Sequence, residues 1–170
     1  MINIVKDALF AQYGAALETL SLATKLCPDS LWDASAKGDG PFSQVAFHAV
    51  FYGDCYLGLS DEGFKEQPFH VANAGKFGDY EEMEDRAPTC TYTRAWIAEY
   101  LEFVRAKARA MIAGETEESL SARCGFDWLK MSRLELYLYG GRHLQHHAAQ
   151  LSLRVQLETG AGAKWVRASS

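Results

Sequence analysis

The sequence lacks several features that identify common classes of protein. Its 17 basic residues are fewer than its 22 acidic ones and form no basic stripe, so binding to nucleic acid, which requires neutralised phosphates, is not expected. No apolar run reaches the ~18–20 residues that a membrane span needs, and the amino terminus has no basic region followed by a continuous apolar core. These absences predict a cytoplasmic protein with neither nucleic-acid nor membrane partners.

Cysteine and proline are also scarce. The four cysteines are separated by 28, 35 and 34 residues and form no CxxC pair, so a cysteine-based zinc site is not indicated. In a reducing compartment they are expected to be free thiols. Only four prolines and a hydrophobic content of 48% argue against global disorder. Because 170 residues are a usual length for one domain, we expect a single domain spanning residues 1–170.

Four segments of the sequence show the periodicity of amphipathic helices. In the first, apolar residues recur at intervals of four and three from Leu9 to Cys27, which places them on one helical face. The predicted helices are Leu9 to Cys27, Phe42 to about Leu59, about Thr93 to Ala113, and about Ser132 to Glu158. Their order predicts an all-α fold, namely a four-helix bundle with a long crossover between helices 2 and 3.

The predicted crossover, residues 60–90, is strongly acidic. It contains eight acidic and three basic side chains, which account for the whole net charge of −5. Because structureless loops of this length are unusual in compact domains, we expect the segment to be partly ordered and to pack Phe64, Phe69 and Phe77 on the bundle. Its one histidine, His70, is expected to be solvated.

Three of the five histidines lie in one short stretch of the fourth helix, GGRHLQHHAAQLSLR. On a helical wheel with ~100° per residue, His147 lies about 40° from His143, and both fall in the apolar sector. His146 falls at the border of that sector. Side chains four residues apart on a helix have Cβ atoms ~5–6 Å apart, so His143 and His147 can converge on one metal ion.

A third ligand is expected from another helix, and His48 is the candidate. In QVAFHAVFYGDCYL it lies in the middle of the apolar face of the second helix, where an imidazole needs a hydrogen bond or a metal. Two interpretations remain open, a set of hydrogen-bonded core histidines or a metal site of His48, His143 and His147. His146 is expected at the rim of such a site, and Cys55, two turns from His48, is not counted as a ligand.

Two motifs resemble the DinB family of metalloenzymes, which are four-helix bundles. One is a single histidine in helix 2 followed by aromatic residues and an aspartate, here SQVAFHAVFYGDCYL with His48, Tyr52 and Asp54. The other is H-x-x-H-H-x-G-Q-[LI] followed by an arginine, here HLQHHAAQLSLR. Where the family often has Arg-Gly after the double histidine, this chain has Ala148 and Ala149. The resemblance spans nearly the whole sequence.

The resemblance implies that His48, His143 and His147 hold a divalent metal ion, nickel or zinc, with water completing the shell. It also implies a homodimer. Some relatives are thiol-dependent S-transferases that use a low-molecular-weight thiol such as bacillithiol or mycothiol, and others are damage-inducible proteins of unknown activity. The implied partners are therefore a metal ion, a small-molecule substrate and, for a transferase, a thiol.

Three functions remain open at this point. They are a metal-dependent S-transferase, a metal-dependent hydrolase, and a non-enzymatic stress-related metal-binding protein. Tyr52, one turn from His48, and Gln150, on the histidine face, are candidates to line the pocket, and the alternative for Tyr52 is a core aromatic residue. No catalytic acid or base can be identified. On helix 4, three leucines away from or flanking the core sector would form a dimer face or pack under the loops: Leu134, Leu138 and Leu153.

Overall fold

The computed structural model describes residues 2–84 and 90–168, apart from the side chains of residues 79, 81 and 84. It confirms the all-α fold. In chain order, the described helices are α1 (Ile2–Leu26), α2 (Asp29–Trp32), α3 (Phe42–Leu57), α4 (Pro68–Ala72), α5 (Arg94–Gly114), α6 (Glu117–Ser121) and α7 (Arg133–Thr159). Within the described ranges, no helix is both long and apolar enough to cross a membrane.

The four long helices, α1, α3, α5 and α7, correspond to the four predicted segments. α7 packs against α1 and α3, and α5 packs against the same two helices. Local sequence determines both ends of α7. Its amino-terminal end is stabilised by a capping box between Ser132 and Glu135. The helix ends at Gly160, whose φ of 78° is a left-handed conformation that glycine adopts readily. Each long helix thus buries its apolar stripe between two neighbours.

A short antiparallel hairpin between α2 and α3 was not predicted. Its strands, β1 (Ser35–Ala36) and β2 (Asp39–Pro41), pair with Ser35 opposite Pro41. Strands of two and three residues are too short for an alternating pattern to appear in the sequence. Arg154 of α7 holds the hairpin, because its guanidinium donates hydrogen bonds to the backbone oxygens of Ala34 at 2.6 Å and Gly40 at 2.9 Å.

The acidic connection between α3 and α5 packs on the helices as predicted. Beside α4 it contains two 3-10 helices, Ala74–Lys76 and Gly78–Glu84. Phe64 and Phe77 are buried in the core, and the ring of Phe69 stacks on Tyr100 of α5 with centroids 5.1 Å apart. Residues 85–89, which also belong to the predicted crossover, lie outside the described residues.

The prediction that His70 is solvated is wrong. His70 lies in α4 and is fully buried, with its Nε2 2.7 Å from Oδ2 of Asp54. Asp54 belongs to α3, so the partner that makes burial of this imidazole favourable lies on another element. The acidic composition around His70 describes its neighbours in sequence and carries no information about that partner.

The leucines named as a candidate dimer face differ in exposure. Leu138 and Leu153 are 58% and 54% exposed, whereas Leu134 is partly buried and packs against the core. The exposed side chains of Leu138 and Leu153 would contact solvent in a monomer and could contact a partner chain in a dimer. The homodimer stays a prediction.

Candidate metal centre

The three histidines selected from the sequence lie together between α3 and α7. Ring nitrogens from His48, His143 and His147, one from each, lie within 4.8 Å of one another. The ring centroids are 5.1 Å apart for His48 and His143, 4.8 Å for His48 and His147, and 4.6 Å for His143 and His147. Nitrogens that share a zinc ion at ~2.0–2.1 Å are at most about 4 Å apart, so small rotations of the rings would let all three share one ion.

Glycine permits the close approach of α3 and α7 that creates this cluster. A Cβ atom on Gly53 of α3 would lie only 2.9 Å from Cδ2 of Leu144 and 3.1 Å from its Cγ. Leu144 is fully buried and follows His143 directly in α7. The contact therefore sets the distance between the helix that carries His48 and the helix that carries the other two histidines.

His143 has an unsatisfied ring nitrogen. Its Nε2 is buried and has no hydrogen-bond partner among the residues that the structure describes. Burial, and then the nearby rings of His147 and His48, lower the pKa of His143 to about 3, against a smaller opposing effect of a hydrogen bond with the His48 backbone. The ring is neutral at pH 7, which is the form that binds metals. A buried nitrogen without a partner costs free energy, and a bound ion would remove that cost.

His48 is oriented by the connection between α3 and α5. Its Nδ1 lies 2.8 Å from Oε2 of Glu82, whose side chain is buried. Tyr52 of α3 donates its hydroxyl to the backbone oxygen of Glu82 at 2.8 Å. Because Nδ1 faces this carboxylate, Nε2 is the nitrogen through which a neutral His48 ring would bind a metal. A carboxylate behind a ligating histidine is typical of the outer shell of metal sites.

His147 is oriented from the opposite side by a chain of polar contacts. Its Nδ1 lies 2.9 Å from Oε1 of Gln150. Nε2 of Gln150 in turn donates to Oδ2 of Asp39 at 2.8 Å, and Arg154 donates to the same oxygen at 3.2 Å. Burial lowers the pKa of His147 although the hydrogen bond to Gln150 opposes the shift, so this ring is also neutral at pH 7. Its Nε2 is the nitrogen left for a metal.

Aromatic rings surround the cluster. The ring of Tyr52 lies 4.9 Å from His48 and 5.5 Å from His143, and the ring of Tyr56 lies 5.8 Å from His143. Burial raises the pKa of Tyr56, so its phenol is neutral at pH 7. These rings exclude water from one side of the histidines and strengthen electrostatic interactions there.

Two further residues near the cluster were predicted not to be ligands, and neither belongs to the group of three. His146 is exposed, and its ring lies 5.0 Å from that of His147, at the rim of the site. Cys55 is buried, and this burial raises the pKa of its thiol to about 12. It is therefore a protonated core thiol at pH 7, which is a poor metal ligand.

The sequence did not indicate Glu82 or Asp39, the two carboxylates behind the histidines. Glu82 is one of eight acidic residues in the connection, and Asp39 stands in the loop segment GDG. Only a general rule about metal sites applies to these residues. A metal-bound histidine commonly donates a hydrogen bond from its second ring nitrogen to a carboxylate or carbonyl. That rule predicts a nearby acceptor but does not identify which one.

Comparison with known proteins agrees with this geometry. The model of the DinB superfamily matches residues 12–151, a range that includes α3, all three histidines and most of α7. No curated protein and no solved structure matches the chain at a significant level. The matched range is most of the sequence and contains the first motif and the second as far as Leu151, without its arginine, Arg154. The chain belongs to the DinB superfamily.

Proposed function

We propose that this protein binds one divalent metal ion through His48, His143 and His147. The observation that carries the proposal is the buried Nε2 of His143, which has no hydrogen-bond partner among the described residues while two other imidazoles stand about 5 Å away. Buried polar atoms in proteins are almost always hydrogen-bonded. A set of hydrogen-bonded core histidines would explain His48 and His147, but it leaves His143 unexplained.

The donor set favours nickel or zinc. Three neutral imidazoles suit these borderline ions, whereas magnesium and calcium prefer oxygen ligands. Three protein ligands with an open position are typical of catalytic rather than structural zinc sites. A divalent ion bound there would act as a Lewis acid and favour the thiolate form of a thiol or the deprotonated form of water.

We further propose that the protein is a thiol-dependent S-transferase acting on a small electrophilic molecule. Family membership and the three-histidine group support this proposal. Each residue has a distinct role in this proposal. The three histidines hold the ion, and Glu82 and Gln150 fix the orientations of the His48 and His147 rings. Tyr52 forms part of the pocket wall. Tyr52 also keeps Glu82 in place through its backbone oxygen, so its hydroxyl is already engaged and it is not assigned as a proton donor.

Two alternatives follow from the same site. With water in place of a thiol, the protein would be a metal-dependent hydrolase. With no substrate, it would be a stress-related metal-binding protein. The three-histidine site is common to all three functions, and the assays below distinguish them.

The test uses purified protein loaded with nickel or zinc. A chromogenic aryl halide is offered with each of several low-molecular-weight thiols, and a chromogenic ester is offered without thiol. Metal-dependent conjugation that is absent in His143→Ala supports the transferase, and metal-dependent ester hydrolysis supports the hydrolase. If the loaded protein shows neither reaction, the transferase proposal is wrong and the non-enzymatic alternative stands. His146→Ala serves as a matched control, because it removes an exposed histidine from the same helix.

We infer that the four long helices form a four-helix bundle. α1 and α3 each pack against both α5 and α7, which is the arrangement expected when four helices surround one core. In bundles of this kind metal sites are built from side chains on facing helices, and the histidines of α3 and α7 are placed in this way.

A further inference from the structure

A second cluster of titratable residues is centred on Asp54 of α3. This carboxylate is fully buried. Its Oδ2 lies 2.7 Å from Nε2 of His70 and accepts a hydrogen bond from the hydroxyl of Tyr100 at 2.8 Å. Its Oδ1 accepts a hydrogen bond from Nζ of Lys107 at 2.6 Å. Burial alone would raise the pKa of Asp54, but the His70 hydrogen bond and the charge of Lys107 outweigh it, and the pKa is lowered. Asp54 is thus an ionised anchor inside the protein.

His70, which belongs to α4 of the acidic connection, links that connection to Asp54. Its other ring nitrogen, Nδ1, lies 3.1 Å from the hydroxyl of Tyr80. The imidazole stacks on Phe77 with centroids 4.1 Å apart and meets Phe64 edge-on at 4.5 Å. The two ring nitrogens of His70 therefore link Asp54 on one side to Tyr80 on the other.

Tyr80 has an unfavourable backbone conformation. Its φ is 62°, in the left-handed region that residues other than glycine, asparagine and aspartate rarely occupy. Such conformations persist when the surrounding structure holds them. Here the ring of Tyr80 stacks on Phe77 at 5.4 Å, Lys65 lies over its face at 4.6 Å, and its hydroxyl is bound by His70.

Glu82 follows Tyr80 by two residues. The direction in which the chain leaves Tyr80 decides where the Glu82 carboxylate lies. In the folded protein that carboxylate is 2.8 Å from Nδ1 of His48. A tyrosine that relaxed to a common backbone conformation would point the following residues elsewhere.

We propose that Asp54, His70 and Tyr80 are positioning residues for the metal centre, which hold the connection so that Glu82 reaches His48. The proposal rests on the proposed metal site. It assigns a function to Asp54, the aspartate of the motif in α3, and to His70, the histidine of α4. These residues act through Glu82 and do not themselves contact the ion.

The test is zinc affinity, measured by competition with a chromogenic chelator under conditions in which every variant is folded. The variants are Tyr80→Phe, His70→Gln, Glu82→Ala, and each of the first two combined with Glu82→Ala. Tyr80→Phe is the least disruptive, since it removes one hydroxyl and keeps the stacked ring. Loss of outer-shell partners typically weakens metal binding 10- to 100-fold, and we expect Glu82→Ala to fall in that range and the other two single variants to lose roughly tenfold.

Two comparisons separate positioning from a general loss of stability. Tyr137→Phe is the matched control, because it also removes a buried tyrosine hydroxyl that donates to a buried carboxylate, here Glu115 rather than Asp54, and we expect it to bind zinc like the wild type. If His70 and Tyr80 act through Glu82, each double variant binds zinc no more weakly than Glu82→Ala alone.

The outcomes are distinct. Wild-type zinc affinity in Tyr80→Phe and His70→Gln would overturn the proposal, as would losses that add to that of Glu82→Ala. If the wild-type protein itself binds no zinc or nickel, the proposed function fails first, and the positioning proposal fails with it. Non-additive losses together with an unchanged zinc affinity in Tyr137→Phe would support the positioning proposal.

Discussion

The imidazole rings of His48 and His143 lie 5.1 Å apart, centroid to centroid, although one belongs to α3 and the other to α7. A hydrogen bond between the His143 ring and the His48 backbone contributes to this proximity, but the Nδ1 of His48 is bound by Glu82 and the Nε2 of His143 has no partner among the described residues. The buried Nε2 of His143 therefore lacks the partner that a bound ion would supply. The predictions below test a divalent metal in that role.

An ion that bridges α3 and α7 should raise the melting temperature. At a free zinc concentration of 100 times Kd, binding adds about 2.7 kcal/mol to the free energy of unfolding, which raises Tm by roughly 5–10 °C for a chain of this length. The measurement is thermal unfolding with zinc and with chelator. His143→Ala should lose the shift and His146→Ala should keep it. A shift of the same size in His143→Ala would count against the triad.

The metal-free protein should lose stability as the pH falls below about 6.5. The pKa of His143 is lowered to about 3 in the folded protein, compared with ~6.5 when unfolded. Below pH 6.5 the unfolded chain binds a proton that the folded chain does not, so the stability present at higher pH is progressively lost down to the folded pKa. Between pH 7.5 and 5.5 this residue should cost about 1.4 kcal/mol.

The pH effect can be assigned by substitution. Urea unfolding of metal-free wild type and of His143→Gln, at pH 7.5 and pH 5.5, gives the difference that belongs to this side chain. The glutamine variant cannot titrate, so its stability should fall less than that of the wild type over the same interval. Equal losses in the two proteins would show that His143 is not held neutral by burial.

Removing the partner of His147 should weaken metal binding without abolishing it. Gln150 holds the Nδ1 of His147 at 2.9 Å and is itself held by Asp39, so Gln150→Ala frees the ring to rotate. We expect zinc affinity to fall 10- to 100-fold. Gln145→Ala is the control, because Gln145 lies on the same helix but lines an apolar groove between α1 and α7. Equal affinities for the two variants would mean that Gln150 does not orient the ligand.

The spacing of α3 and α7 is tested at Gly53. A methyl group there meets Leu144 at 2.9 Å, whereas one at Gly141 of α7 meets Tyr13 at 3.5 Å, an ordinary contact. Both substitutions gain up to ~1 kcal/mol of helix propensity, but overpacking typically costs about 1–3 kcal/mol. Gly53→Ala should therefore be less stable than Gly141→Ala by roughly that amount in chemical denaturation, and it should also bind zinc more weakly. Equal stabilities would show that Leu144 adjusts freely.

Much of the fold and the position of the triad can be predicted from periodicity. The apolar stripes located the four long helices, and the same wheel placed His48, His143 and His147 on inward faces. The structure brings these three together because α3 and α7 pack directly on each other. Helical periodicity is a property of consecutive residues, which is why the sequence is informative on this point.

What the sequence missed depends on contacts between distant segments. His70 is buried against Asp54 of α3, whose Oδ2 lies 2.7 Å from its Nε2, and Glu82 lies against His48, also of α3, at 2.8 Å. The hairpin containing Asp39 is too short to show a pattern. In each case the decisive partner lies on another element, so local composition and spacing do not identify it.

The most direct test of the central claim is the metal content of purified protein, measured by elemental analysis after incubation with nickel or zinc and removal of free ions. The wild type and His146→Ala should each contain about one ion per chain, and His48→Ala and His143→Ala should contain almost none. That result would join α3 and α7 in one site. A wild-type protein that retains no metal, or a His48→Ala variant that retains as much as the wild type, would contradict the account.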